Sequence, residues 1–252
     1  MKQRTTEWLE DVNKDYHDKQ FLEPYRSTVA FCDWIEEQGL INSKSEFKLV
    51  DIATGQGANM AYMSQRYPKC SFVGLELNQQ LVDSGNQYFK NNDIRNCIIV
   101  QGDMYKMDSE LLSGAHAVTS FQTLSWLPEA TGAIKALSSL NSEWIALTSL
   151  FYDGPLSCNV EVNDYDDNLN INKQSCYNVY SIPVIKKYFL ENGFDNLNSV
   201  PFNIDIDLAQ PVSKKRGTYT KMVTDGTRLQ FSGPMHLPWH FITVERIDSE
   251  GK

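Results

Sequence analysis

The stretch LVDIATGQGANM, from Leu49 to Met60, decides the fold. An apolar strand pattern ends at Asp51, Gly55 and Gly57 follow two residues apart, and a helical pattern opens at Ala58. Glycines in such a loop let the backbone turn sharply and let a ligand approach without Cβ atoms in the way, and the following helix presents free N–H groups. By itself, this pattern indicates either a ligand-binding loop or a tight turn.

Apolar runs of strand length alternate with helical patterns on both sides of this loop. The strand-like runs are 47–53, 71–77, 96–101, 115–121, 144–151, 197–206 and 237–247. Such alternation is typical of a mostly parallel sheet with helices on both faces. We therefore expect one α/β domain over residues 1–252, with an N-terminal helical cap at 1–40 and irregular insertions at 152–180 and 207–234.

Three helix starts carry a signal in the sequence. Asn78 precedes an apolar stripe at helical spacing and is placed to cap it, Pro128 stands where a first helical turn favours proline, and Ser181 precedes a further stripe. We expect helices to begin at these three places.

The composition restricts the partners of the chain. It has 252 residues and a formal net charge of -9 without a clustered basic face, which argues against a nucleic-acid substrate. The five cysteines show no Cys-x-x-Cys spacing, and the four histidines do not combine with acids at ligand spacing, so we expect neither disulfides nor a metal site. No window approaches about 18 uninterrupted apolar residues, so we expect no membrane span and a cytoplasmic protein.

The second and third strand patterns each end in an acid. Glu76 closes the run 71–77, and Asp103 follows the run 96–101. Together with Asp51, these acids meet at the carboxyl edge of the expected sheet, beside the glycine loop. Buried carboxylates are costly unless they find a partner, and Glu76 in this place can accept both hydroxyls of a ribose. The pattern indicates a cofactor that carries a nucleoside.

Two residues distinguish between the nucleoside cofactors. A dinucleotide fingerprint has a third glycine where this chain has Met60, and an acid at Asp51 would repel a pyrophosphate. An acid there suits a cationic ligand, such as the amino group or the sulfonium of S-adenosylmethionine. An NAD(P)-dependent oxidoreductase is therefore the less favoured alternative.

Four successive segments carry a family resemblance. LVDIATGQG, FVGLELN, VQGDMYKMD and AVTSFQTLSWLPE, within about residues 47–130, resemble the ordered motifs of class I S-adenosylmethionine-dependent methyltransferases. The resemblance implies a Rossmann-like sheet of seven mostly parallel strands, with the last strand antiparallel and helices on both faces. It also implies S-adenosylmethionine as the cofactor.

The same resemblance implies a cofactor role for residues at the ends of the first four strands. Those expected around the methionine part are Asp51, Ala53, Gly55 and Gly57. Those expected at the ribose are Glu76 and its neighbour Leu77, at the adenine Asp103 and Met104, and on the other side of the cofactor Phe121 and Gln122. At Ala53 the family usually has glycine, and this departure motivates the alternative of a catalytically silent binding module.

The start of the last strand is the expected acceptor side. If that strand is antiparallel, its beginning reaches the carboxyl edge, where ligands of open α/β sheets bind. His236 and His240 are there as candidate general bases, although either could be a core histidine with a backbone partner. Trp126, Tyr152 and Trp239 would face the same cleft and bind the acceptor, or belong to the core.

Together these observations predict a methyltransferase that acts on a small molecule. The acceptor would be a sugar or nucleotide-sugar hydroxyl, or an amine. The tail RLQFSGPMHLPWHF is similar to tails of methyltransferases from bacterial surface-polysaccharide pathways. The sequence leaves the oligomeric state open.

Overall fold

The elements of the protein are taken from a computed structural model that describes residues 19–107, 110–213 and 216–247. The helices are α1 (Arg26–Glu37), α2 (Ala58–Arg66), α3 (Gln79–Asn91), α4 (Thr131–Ser138) and α5 (Ile182–Glu191). The strands are β1 (Lys48–Ile52), β2 (Ser71–Glu76), β3 (Cys97–Gln101), β4 (Ala117–Phe121), β5 (Trp144–Tyr152), β6 (Glu161–Tyr165), β7 (Ile171–Cys176), β8 (Tyr180–Ser181), β9 (Phe194–Pro201), β10 (Thr218–Met222), β11 (Arg228–Ser232), β12 (Met235–His236) and β13 (Trp239–Arg246). Short 3-10 helices lie at Met104–Lys106, Glu110–Leu112 and Leu124–Trp126.

The main sheet has the strand order β3-β2-β1-β4-β5-β13-β9, with the short β8 paired to the end of β5. The first five strands run parallel, and β13 is antiparallel to both of its neighbours. The predicted α/β sheet with an antiparallel last strand is therefore confirmed. The strand order reverses between β1 and β4, and loops that leave such a switch point in opposite directions open a crevice at the carboxyl edge.

The predicted helix starts are right in two places and wrong in one. The Asn78 side chain accepts a hydrogen bond from the Gln80 backbone N–H and caps α3. The Ser181 side chain accepts one from the Val184 backbone N–H and caps α5. The helix expected at Pro128 begins instead at Thr131. The reason is local, because the Glu129 carboxylate accepts from the Gly132 backbone N–H at 3.0 Å and so satisfies a free donor of the first turn.

The two segments expected to be irregular insertions contain short antiparallel strands. In the first, β6 pairs with β7, and in the second, β10, β11 and β12 form a small sheet. The side chains of β6 and β7 are mostly polar and partly or fully exposed, so this hairpin lacks the apolar alternation that marks a strand in the sequence. Among the described residues, no helix combines the length and the apolar composition that a membrane span needs.

Helix α1 covers the same face of the sheet as α2 and α3. Its buried stripe is Thr28, Phe31, Cys32 and Ile35. Thr28 donates a hydrogen bond of 2.8 Å to Asn59 at the start of α2, and Arg66 at the end of α2 pairs with Asp33. The two helices therefore run side by side in the same direction, and the first turn of α1 lies at the carboxyl edge. Of the predicted helical cap, residues 1–18 lie outside the described residues.

Helix α3 approaches the glycine loop so closely that one position must lack a side chain. A Cβ atom at Gly85 would overlap the carbonyl oxygen of Gln56 and the Cδ1 atom of Ile99. We expect Gly85→Ala to lower the free energy of unfolding by about 1–3 kcal/mol, since overpacking outweighs the better helix propensity of alanine. Chemical denaturation measures this change.

The matched control is Gly132→Ala in α4, where the nearest atom to a new Cβ is the flexible carboxylate end of Glu129. We expect this variant to change the free energy of unfolding by less than about 1 kcal/mol. Equal losses in the two variants would contradict the close approach of α3 to the loop.

Candidate active site

The loop between β1 and α2 contains three residues in the left-handed backbone region. The φ angles are +58° at Ala53, +60° at Gly55 and +77° at Gly57. Glycine adopts this region freely, whereas a residue with a Cβ does so at a cost of about 1 kcal/mol. Gly57 also needs to be glycine for space, because a Cβ there would lie 2.7 Å from the ring of Phe89. Ala53 therefore carries the only side-chain strain among these three.

Asp51, at the end of β1, is 1% exposed and has both carboxylate oxygens engaged. Thr54 in the loop donates to it at 2.6 Å, and Thr119 on β4 donates at 2.8 Å. Burial raises the pKa of Asp51 to about 7, against the opposite influence of the two threonine hydrogen bonds. Asp51 thus fastens the loop and β4 to β1, and its contact with a cofactor stays a prediction.

Glu76, at the end of β2, fastens the same loop from the other side. It is 8% exposed, and its two oxygens accept hydrogen bonds of 2.9 Å from the backbone N–H groups of Gly55 and Asn78. Burial raises its pKa, and the backbone donors partly oppose that rise. The Gly102 N–H donates to the Glu76 carbonyl at 2.9 Å, so the loop after β3 lies directly beside this carboxylate.

The residues predicted for the adenine end are held by that neighbouring loop. Asp103 accepts from the Tyr105 N–H at 3.0 Å and caps the 3-10 helix that begins at Met104. Asp103, Met104 and Leu77 are all half-buried. The structure therefore brings the predicted ribose and adenine residues together at one edge of the sheet.

Phe121 and Gln122, at the end of β4, lie on the other side of the switch point. The Phe121 ring packs edge-on against Phe31 of α1, with 4.8 Å between the ring centroids. Gln122 has a φ of +57°, and its N–H donates to the Thr148 carbonyl at 2.8 Å. Helix α1, which lies within the helical cap predicted for residues 1–40, thus closes this side of the site. The contact that sequence reasoning missed is Phe31, which looks like an ordinary core residue of that helix.

One side chain in the glycine loop supports a ligand there. Gln56 is 3% exposed, and within the described part of the chain its Nε2 atom has no hydrogen-bond partner. A buried amide donor without an acceptor is costly, and a polar ligand in the loop can satisfy it. Together with the Glu76 carboxylate beside the loop, this fits a nucleoside cofactor that carries polar groups.

The predicted acceptor-side aromatics only partly come together. Trp126 and Trp239 belong to one buried cluster with Leu150, whereas Tyr152 is 52% exposed. The cluster also contains Tyr177, whose ring lies 4.2 Å from that of Trp126. Tyr177 was missed because it follows a polar segment without periodicity.

The two candidate histidines have different surroundings. His240 is buried, with Nδ1 3.1 Å from the Pro238 carbonyl and Nε2 3.6 Å from the Asp153 carboxylate. His236 is exposed on β12, with its ring 5.4 Å from that of Phe231, and partial loss of hydration lowers its pKa. His240 therefore has a backbone partner at Nδ1, as a core histidine would have. Its other ring nitrogen, Nε2, faces the Asp153 carboxylate.

Solved structures resemble this fold at low sequence identity. The YcgJ protein from Bacillus subtilis has a TM-score of 0.59 at 11% identity, over 88% of this chain and 100% of its own. The N-terminal domain of EvdMO1, solved with SAH bound, has a TM-score of 0.55 at 12% identity, over 92% of this chain and 85% of its own. A candidate sarcosine dimethylglycine methyltransferase from Galdieria sulphuraria has a TM-score of 0.52 at 12% identity. The match covers 70% of this chain and 62% of that protein, so the chain spans less than two thirds of its length.

A sequence-family comparison agrees with the fold. The family model described as "Putative methyltransferase" matches residues 45–118, from before β1 into β4. The fold of the chain is that of class I methyltransferases, and its residues 45–118 match a methyltransferase family model. The predicted fold is confirmed, and the predicted family and cofactor agree with these matches. A comparison with curated sequences gives no match. Among the described residues, the chain has no group of three potential ligands that could hold a metal ion.

The buried carboxylate of Asp51 makes the stability of the protein depend on pH. Its folded pKa of about 7 lies above the ordinary value of 3.8, so its contribution to stability is full below about pH 4 and is lost as pH rises through 7. Between pH 5 and pH 8 this loss amounts to about 2–3 kcal/mol. We expect Asp51→Asn to reduce the difference in unfolding free energy between these pH values by that amount.

Urea denaturation at pH 5 and pH 8 measures the difference for the wild type, for Asp51→Asn and for the exposed control Asp83→Asn. If Asp51→Asn and the wild type lose the same stability between the two pH values, the carboxyl group is not the one that titrates.

Proposed function

We propose that this methyltransferase transfers the methyl group of S-adenosylmethionine to a small-molecule acceptor. The observation that carries the proposal is the Glu76 carboxylate, buried at the end of β2 and bonded to the amide of Gly55. The cofactor supplies an electrophilic methyl group on a sulfonium, and the displacement is in line. The protein then has to position the two reactants and, for a hydroxyl or an ammonium, remove a proton.

The cofactor would lie across the ends of β1, β2 and β4. The loop residues Ala53, Gly55 and Gly57 would surround its methionine part, and Gln56 would donate to a polar group of it. Glu76 would accept from the ribose hydroxyls, and Asp103 would accept from the adenine amino group. The SAH bound to the similar EvdMO1 domain supports a ligand of this kind.

The acceptor would approach from the ends of β4, β5 and β13. Trp126 and Trp239 would pack against it, and Tyr152 would stand at the exposed rim. The net charge of -9 favours a small molecule over a nucleic acid, and a cytoplasmic location suits the reduced cysteines. An amine is supported by the candidate activity of the Galdieria sulphuraria relative, and a sugar hydroxyl of a surface-polysaccharide pathway by the similarity of the C-terminal tail alone.

His240 is the better placed of the two candidate bases. The Pro238 carbonyl can only accept, so the ring hydrogen lies on Nδ1, and Nε2 keeps a lone pair for the acceptor proton. The Asp153 carboxylate, 3.6 Å from Nε2, would stabilise the imidazolium that forms. His236 lacks a carboxylate partner among the contacts of the described residues.

The cofactor site can be tested by calorimetry with S-adenosylhomocysteine. We expect Glu76→Gln to weaken binding about tenfold or more, because a charge-assisted hydrogen bond to the ribose is lost. The matched control is Glu143→Gln, an exposed glutamate before β5 at the opposite edge of the sheet, which should keep the wild-type affinity. Binding of NAD in place of S-adenosylhomocysteine would overturn the proposal in favour of an oxidoreductase.

The base can be tested once a panel of amines and sugars yields an acceptor that releases S-adenosylhomocysteine. We expect His240→Gln to lower the rate of transfer about 10²-fold or more, and by more than His236→Gln. The opposite order would assign the proton transfer to His236. A complete lack of turnover with every acceptor, together with intact cofactor binding, would favour the silent binding module.

A further inference from the structure

Arg216, in the second insertion, reaches across to the first insertion. Its side chain is 24% exposed, and its guanidinium pairs with the carboxylate of Asp164 on β6 at 2.5 Å. It also donates a short hydrogen bond to the hydroxyl of Ser175 on β7. A single guanidinium therefore binds to both strands of the first hairpin.

The same guanidinium lies against two aromatic rings. Its Cζ atom is 5.8 Å from the ring centroid of Trp126 and 5.5 Å from that of Tyr177. Those rings are 4.2 Å apart with an interplanar angle of 47°, so they form a wedge beneath the cation. Aromatic faces combined with a carboxylate are the surroundings that bind guanidinium and alkylammonium groups.

A second arginine of the same insertion shows that the aromatic wedge is specific to Arg216. Arg228 pairs with Asp207 at 2.9 Å and is 25% exposed, but no aromatic ring contact with it is found in the described part of the chain. The two ion pairs are thus similar in distance and in the exposure of the arginine, but only Arg216 lies against aromatic rings. Only the Arg216 surroundings have the composition of a ligand site.

The location connects this site with the acceptor. Trp126 follows β4 at the carboxyl edge, and Tyr177 precedes the short strand that pairs with the end of β5. Both rings belong to the cluster that contains Trp239 at the start of β13. The site therefore lies on the side of the sheet from which the acceptor would approach.

We propose that Trp126, Tyr177, Asp164 and Ser175 form a site for an organic cation, a guanidinium or an alkylammonium group, which Arg216 fills until an acceptor displaces it. The cation chemistry follows from the contacts themselves, and only the role of the ligand as acceptor rests on the proposed function. The acceptor would be held by its positive group at this site. The chain's own guanidinium would keep the aromatic rings covered in its absence.

The experiment empties the site and offers a small cation in place of Arg216. Methylguanidinium chloride is titrated at constant ionic strength into the wild type, Arg216→Ala and the matched control Arg228→Ala. Indole N–H signals are followed by NMR, and the Trp126 signal is the one that Trp126→Phe removes. We expect half-saturation of Arg216→Ala at a concentration about tenfold lower than for the other two proteins, as a cation–π site freed of its occupant requires.

Displacement of Arg216 is tested on the wild type, which should reach saturation at the higher methylguanidinium concentration. In Trp126→Phe, where the signals of the remaining tryptophans are followed, this response should be absent. If Arg216→Ala binds no better than Arg228→Ala, the cation site is refuted. If only Arg216→Ala binds and the wild type never does, the role of the site for acceptors is refuted. Arg216→Ser replaces Arg216→Ala should the latter fail to fold.

Calorimetry with S-adenosylhomocysteine on the same samples separates this inference from the proposed function. We expect Arg216→Ala to keep the wild-type affinity within about twofold, because Arg216 contacts none of the cofactor residues. Loss of S-adenosylhomocysteine binding in the wild type would refute the proposed function while leaving the methylguanidinium result to decide the cation site.

Discussion

The buried carboxylate of Glu76 holds the loops after β1 and β2 in one fixed arrangement. Without its backbone partners, a carboxylate of 8% exposure would carry a large desolvation cost, so the Gly55 and Asn78 amides are required by burial as much as by function. The hydrogen bond between Glu76 and the Gly55 amide also brings β2 close to the glycine loop. A Cβ at Gly74 would lie 2.5 Å from the Thr54 methyl group, so the strand that carries Glu76 can lie this close to the loop only because it has glycine there.

The backbone strain of the site is concentrated where it disturbs the core least. Gly57 lies in the left-handed region at a buried position without room for a methyl group, whereas Ala53 lies in the same region with its methyl group exposed. A residue with a Cβ atom at position 57 would combine backbone strain with steric overlap, whereas the alanine at position 53 brings backbone strain alone. The departure from the family pattern at Ala53 is therefore compatible with an intact loop, and it alters the surface that a ligand would meet.

The arrangement of the residues that we expect around the cofactor was predictable because its signals are local. Apolar runs mark the parallel strands, Asn78 and the glycines mark the turns, and the acids at the ends of the first three strands mark the edge. The acceptor half was not, because its contacts join segments far apart in the chain. Tyr177 meets Trp126 through loops without periodicity, and the surroundings of His240 depend on Asp153 after another strand. Even the misplaced start of α4 at Pro128 reflects a single side-chain contact of Glu129.

The two halves also differ in what determines their specificity. The family model ends at residue 118, before every candidate for acceptor binding or proton transfer. On the cofactor side the partners are backbone amides and threonines fixed by the sheet, an arrangement that any chain with this loop can reproduce. On the acceptor side the partners are long side chains, such as Arg216, that reach between insertions. Such contacts can change without any change in the sheet, so the choice of acceptor has to be read from the insertions.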